Sequence, residues 1–183
     1  MHVVDAVIGV GWIAFWIYWL AAAVRTKPSR SGSRAYVGIR LAVALIVIAM
    51  LRTGAFRGRA AQVHNPWLLG IGLVMFLAGL ALAVWARVHL GRNWGTPMSQ
   101  RVDPELVTTG PYRYVRHPIY SGLILALLGT TIAVSLYSIV ITALLGGYFV
   151  YSATVEEHSM EKLFPDTYPA YKRSTKMLVP FIF

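Results

Sequence analysis

No cysteine occurs in this sequence, which excludes disulfides, thiolate nucleophiles and Cys-bearing metal sites. The five histidines, His2, His64, His89, His117 and His158, show no spacing that pairs metal ligands, so no metal is expected. Charge is scarce as well. Only 13% of the 183 residues are charged and seven are acids, whereas soluble domains average about 25% charged residues. What fills the chain is apolar: 57% of residues are hydrophobic and the mean hydropathy is +0.59. In so apolar a chain the net charge of +10 marks cytoplasmic loops rather than a nucleic-acid surface, and no nucleic-acid partner is expected. Nothing points to an obligate protein partner.

The apolar runs predict an all-α integral membrane protein with five transmembrane helices. Val3 to Val24 is long enough to cross a hydrocarbon core ~30 Å thick. It lacks a basic start and is too long for a cleaved signal peptide, so it reads as retained. Tyr36 to Leu51 is a second, shorter span containing Arg40, and Pro66 to Ala86 a third, opened by a proline suited to a first helical turn. Residues 118–153 carry no charge over 36 positions. As one helix they would extend ~54 Å, far beyond a bilayer, so a hairpin of two spans is expected, 118–133 and 135–153, breaking within Gly129 to Ser135.

Charge supports this count. With five spans, the first loop, the third loop and the tail share one face and hold 4, 5 and 4 of the Lys and Arg residues, against 3 in the second loop. The N-terminus is then outside and the C-terminus cytoplasmic, in a plasma membrane of prokaryotic type with membrane lipids around it. The hairpin also brings the polar segment 87–117 next to the tail, where four of the seven acids lie between 156 and 166. Carboxylates beyond a helix C-terminus oppose its dipole, so a cationic partner is expected there: Arg116 or a cationic ligand.

The stretch GPYRYVRHPIYSG at 110–122 is too specific for a lipid anchor. Pro118 fits the first position of a helix, whose free N–H groups would offer an anion a seat. Gly122 removes a side chain one turn inside, which admits a neighbouring helix or a flat ligand. An interfacial belt explains Tyr112 and Tyr114 but neither the His-Pro pair nor the glycine.

These residues, with LGRNWG and ELVTTG upstream and the Glu pair and YPAYK…VP downstream, resemble the isoprenylcysteine carboxyl methyltransferase family, which is related to the phospholipid N-methyltransferases. The resemblance covers 88–180, the catalytic region of a single membrane domain spanning 1–183. It implies an S-adenosyl-L-methionine-dependent enzyme acting on a lipophilic small molecule or lipid that enters from the bilayer. It also implies site residues. His117, Pro118 and Tyr120 line the cofactor pocket with Tyr112, Gly122 and the backbone around Leu106 and Val107. Glu156, helped by Glu157, grips the cofactor's amino-acid end. Arg116 and Glu157 form the candidate catalytic pair, Arg116 either positioning an anionic acceptor or being occupied by Glu157. A Rossmann-type site does not compete, since GVG at 9–11 and GIG at 70–72 lack the third glycine and lie inside spans.

One position departs from the family. The Arg that binds a prenylcysteine carboxylate, one helical turn before the acid, aligns with Ser152, so a different lipid acceptor is expected and Ser152→Arg is expected to restore prenylcysteine recognition. Two rival classes remain. Sterol-type reductases share the RHP-Tyr motif but use NADPH and place Asn and Glu where this chain has Ile119 and Leu123. A non-catalytic membrane scaffold leaves the charges at 87–117 and 156–166 unexplained.

Overall fold

The computed structural model describes residues 3–24, 26, 37–52, 63–96, 98 and 102–182. Much of the loop charge counted above, including Arg25, Lys27, Arg30, Arg34, Arg57, Arg59 and Arg101, lies outside the described residues, as do the side chains of Arg40 and Arg52. Among the described residues every regular element is helical: α1 (Val3–Ala23), α2 (Val37–Arg52), α3 (Pro66–Leu90), α4 (Pro118–Ala133), α5 (Ile139–Leu163) and α6 (Tyr168–Ser174). Three are long and apolar enough to cross a membrane: α1, α3 with the short 3₁₀ turn after it, and α5 with the turn before it. Helices α2 and α4 have 16 residues each, ~24 Å at 1.5 Å per residue and short of a ~30 Å core.

The core of the fold is the antiparallel pair α3–α4. Small residues recur along the facing stripe of each: Gly72, Gly79, Ala83 and Ala86 on α3, spaced seven, four and three apart, and Gly122, Ala126, Gly129 and Ala133 on α4, spaced four, three and four apart. With no hydrophobic gain from packing helices in lipid, close backbone approach supplies the attraction, and small residues permit it. A Cβ at Gly79 would stand 2.5 Å from the Gly122 carbonyl oxygen, and one at Gly122 2.7 Å from the Ala83 nitrogen. Backbone cannot yield as a flexible side chain does. Gly79→Ala is therefore expected to destabilise the protein by about 1–3 kcal/mol, the usual range for overpacking. It should appear as a lower thermal midpoint in detergent, and an unchanged midpoint would mean the pair can part without loss.

Helix α1 lies across this pair. Its Trp12 indole donates to Thr130 Oγ1 at 3.1 Å, and Ile8 packs with Phe76, Ala126 and Ala133. Helix α2 packs on α5.

The charge-free stretch does break into two helices. After Ala133 the chain turns through Ser135, which is extended, and a 3₁₀ turn at Leu136–Ser138. Thr131 and Thr142 bond across the turn at 2.8 Å, and Ser138 Oγ donates to the Ser135 carbonyl at 2.6 Å.

Two helices run further than the hydropathy suggests. Helix α3 continues past Ala86 to Leu90, ending at Gly91 with φ +54°. Helix α5 continues past residue 153 to Leu163, so Glu156 and Glu157 sit on its last turns and not on a tail beyond it. Neither extension contains a helix breaker. α5 stops where Pro165 disfavours the helical conformation for Phe164.

Candidate functional site

The motif at 110–122 folds as a 3₁₀ turn, Gly110–Arg113, followed by α4. Gly110 has φ +59°, and a Cβ there would strike the His89 ring, with Nε2 at 2.5 Å. The turn is pinned on both sides. Tyr112 is buried and its hydroxyl donates to the Ala86 carbonyl at 3.4 Å, while its own carbonyl accepts from the Tyr171 hydroxyl at 2.6 Å. The chain after α6 then returns to the start of α4. Arg116 N–H donates to the Lys176 carbonyl at 2.8 Å, His117 N–H to Met177 at 3.0 Å, and Ser121 Oγ to Leu178 at 2.6 Å. The N–H groups of residues 116 and 117, just before α4, are thus taken by the tail.

Behind this junction lies a buried ionic network. Arg116 Nε meets Glu157 Oε1 at 2.6 Å, with both side chains nearly sealed (8% and 4% exposed). Arg116 Nη1 also donates to the carbonyls of Lys172, at 3.1 Å, and Thr175. Lys172 Nζ pairs with Glu157 Oε2 and with Glu161, each at 2.9 Å. Glu157 thus pairs with Arg116, one of the two partners the sequence allows it. These cations also answer the dipole conflict of carboxylates near the α5 C-terminus.

His117 stands between the two acids, with Nδ1 3.5 Å from Glu156 and Nε2 3.6 Å from Glu157, ion-pair distances rather than hydrogen bonds. Burial alone would push its imidazole pKa down, but the carboxylates on its two sides outweigh that and hold it above the ordinary value. With the folded-state pKa raised, the stabilisation from His117 is fully present below the ordinary value of ~6.5 and fades as pH rises through the folded value. Nearby, burial pushes the Tyr112 and Tyr168 hydroxyls up and takes Tyr171 to about 12, so all three remain neutral donors.

In front of the network is a cavity of about 620 Å³, within the ~300–1,000 Å³ range of ligand pockets. Of the residues singled out from the sequence, Leu106, Val107, Tyr112, Arg116, His117, Tyr120 and Glu156 border it. Glu156 is the polar focus. Its Oε1 accepts from Met98 N–H at 2.8 Å and from the Tyr120 hydroxyl at 2.6 Å, and its side chain is 23% exposed. Parallel rings stand beside it, His117 on Tyr120 at 5.6 Å and Tyr120 on Phe149 at 5.1 Å.

Four singled-out residues stand elsewhere. Pro118 is fully buried, and Glu157 lies behind the wall in the ionic network. Gly122 meets α3, so the neighbour it admits is a helix and not a ligand. Ser152 is fully buried, its hydroxyl bonded back to the Tyr148 carbonyl at 2.8 Å. An Arg at 152 would have to carry its guanidinium out of a sealed site to act as the expected prenylcysteine partner. Conversely, sequence reasoning assigned no role to cavity-lining Trp16, Trp19, Trp94, Met160, Tyr168 and Tyr171. Trp94 lies in the LGRNWG motif, and Tyr168 and Tyr171 lie in YPAYK. The two α1 tryptophans carry no signal within a uniformly apolar run.

The phospholipid methyltransferase family model matches residues 67–167. Protein-S-isoprenylcysteine O-methyltransferase B of Arabidopsis thaliana is 28% identical over 169 residues, 90% of this chain and 86% of that protein. Cobalt-zinc-cadmium resistance protein CzcN of Cupriavidus metallidurans is 31% identical over 153 residues, 81% of this chain and 65% of its own length. The Xenopus laevis protein-S-isoprenylcysteine O-methyltransferase is 31% identical over 120 residues, 63% of this chain and 42% of that one.

Proposed function

This chain belongs to the phospholipid methyltransferase family, and from that premise we propose that it is a membrane enzyme transferring the methyl group of S-adenosylmethionine to a lipophilic acceptor. One observation carries the reading: the Glu156 carboxylate, held at Oε1 by Met98 and Tyr120, faces a cavity walled by aromatic rings. Carboxylate and aromatic faces together suit a ligand bearing an ammonium, a sulfonium and a flat heterocycle.

S-adenosylmethionine supplies an electrophilic methyl group on sulfur, and its positive charge disappears as the methyl is passed on. The chain's own residues bind, orient and exclude water. Glu156 would hold the α-ammonium group, the backbone at Leu106 and Val107 the adenine edge, and the rings of Tyr112, His117 and Tyr120 the flanking faces. Arg116 and Glu157 act through position, since their pairing fixes the start of α4 against α6. Alignment in a dry pocket is the main source of rate; an acceptor that is already an anion needs little general acid–base work, whereas a neutral hydroxyl or amine must also pass its proton to a cavity base or to water.

The acceptor differs from that named for the plant and frog relatives. A prenylcysteine carboxylate needs a cation, yet Arg116 at the cavity is engaged by Glu157 and Ser152 is sealed. A neutral or differently charged lipid fits better.

Binding measured on detergent-purified protein tests the proposal. S-adenosylhomocysteine should bind at micromolar concentration, ~8 kcal/mol, and NADPH should not. NADPH binding in its place would make the chain a reductase, and binding of neither would leave a non-catalytic scaffold.

The catalytic region, 88–180, belongs with this reading, as does a five-span arrangement opening the cavity to the cytoplasm. The short helices α2 and α4 would then cross where α3 and α5 shelter them. A C-terminal reporter active only outside the cytoplasm should stay silent in a prokaryotic plasma membrane. Activity of that reporter would overturn either the span count or the orientation.

A further inference from the structure

The wall of the cavity contributed by α1 lies outside the family-matched region and is unlike the rest. Trp16 and Leu20, four apart, and Trp19 and Ala23, four apart, form two adjacent stripes along the helix, and all four line the cavity. None carries charge, whereas Arg116 and His117 enter from the turn before α4 and Glu156 from α5. Trp19 is buried, but Trp16 is 50% and Leu20 68% exposed. Residues that both line a cavity and face outward mark its mouth. Because α1 is apolar and long enough to cross a bilayer, what lies outside that mouth is lipid.

A buried arginine holds this wall in place. Arg87 is 4% exposed. Its Nη1 donates to the Gly91 carbonyl and its Nη2 to the Ala22 carbonyl, each at 2.7 Å, so one guanidinium caps the C-terminal ends of both α3 and α1. Its Cζ lies 4.5 Å from the Trp94 ring centroid and 5.9 Å from that of Trp19, and those two indoles meet edge to face at 5.5 Å. Burying a guanidinium is costly unless such partners answer it, and these partners are the cavity wall itself.

We infer that α1, latched by Arg87, is the acceptor-binding wall, and that the acceptor is an uncharged lipid whose apolar tail lies along Trp16 and Leu20. This rests on the methyl-transfer reading for the word acceptor, but the site is testable without it. Arg87 is a positioning residue and Trp16 and Leu20 set specificity.

The test uses a diazirine-bearing farnesol with the full chain in lipid nanodiscs, and adducts mapped by mass spectrometry. Adducts should concentrate on Trp16, Trp19, Leu20 and Ala23, and excess unlabelled farnesol should suppress them, while Ala14 and Ala21, exposed on the opposite face of the same helix, should show only unsuppressed background. Trp16→Ala, by removing half-buried aromatic surface, and Arg87→Lys, by breaking the fork that joins Gly91 to Ala22, should each lower suppressible labelling about tenfold. Affinity for S-adenosylhomocysteine should stay within about twofold in Trp16→Ala, which a general loss of fold would not spare. Labelling that is equal at Ala21, or insensitive to farnesol, overturns the inference. Suppression by S-farnesylcysteine as strong as by farnesol overturns the uncharged acceptor. Should S-adenosylhomocysteine fail to bind the unmodified protein, the methyl-transfer reading falls while the labelling pattern still judges the α1 wall.

Discussion

Arg116→Ala is expected to destabilise the protein by about 3–5 kcal/mol, the range for removing one partner of a buried ion pair. Glu157 is left almost fully buried, and the Lys172 and Thr175 carbonyls lose their donor. Lys172 remains bound to Glu157, but its side chain is 39% exposed and its attraction is correspondingly screened. The loss also loosens the return of the tail onto α4, so the cavity should open as stability falls. Intrinsic tryptophan fluorescence during heating, in detergent, reads the effect. The double replacement Arg116→Met with Glu157→Leu should recover a large part of the loss, since an apolar pair leaves no uncompensated charge. A thermal midpoint unmoved by Arg116→Ala would mean that the pair adds nothing to the fold.

Glu156→Gln should weaken S-adenosylhomocysteine binding by about 1.5–3 kcal/mol, or roughly ten- to 150-fold, the scale of a hydrogen bond to a charged group. The substitution separates binding from folding. Met98 N–H and the Tyr120 hydroxyl both donate to one carboxylate oxygen, and the amide oxygen of Gln can accept both. Its NH₂ then replaces the second oxygen, so a charged acceptor becomes a neutral donor and repels an ammonium group. Calorimetric titration of the variant reads the loss, with an unchanged thermal midpoint as the control. Full affinity in a folded variant would remove Glu156 from the site.

The neighbouring acids show what a sequence leaves undecided. Successive residues on a helix point about 100° apart, so two adjacent glutamates meet different surroundings. Glu156 faces it and Glu157 turns to Arg116, an outcome set by how α5 is rotated against α4 and α6. Ser152 makes the same point in depth. Phe149, Glu156, Met160 and Leu163 line the cavity along one stripe of α5. Ser152, one turn before Glu156, is sealed by packing.

The all-helical character, the hairpin within the charge-free stretch and the meeting of RHP with the acidic pair were determined by the sequence alone. Each follows from properties read locally: transfer of apolar side chains out of water, the length of a run, and the placement of Pro and Gly. The small-residue repeats of α3 and α4 were equally present in the sequence, but which helix each would meet was not. The tertiary structure alone decided that Gly122 serves a helix crossing, that the tail takes the N–H groups before α4, and that Trp16 and Trp19 of α1 line the cavity. These depend on the rotation and offset of whole helices. In so uniformly apolar a chain, many arrangements remove similar area from water, and close backbone contacts and a few buried polar bonds choose among them.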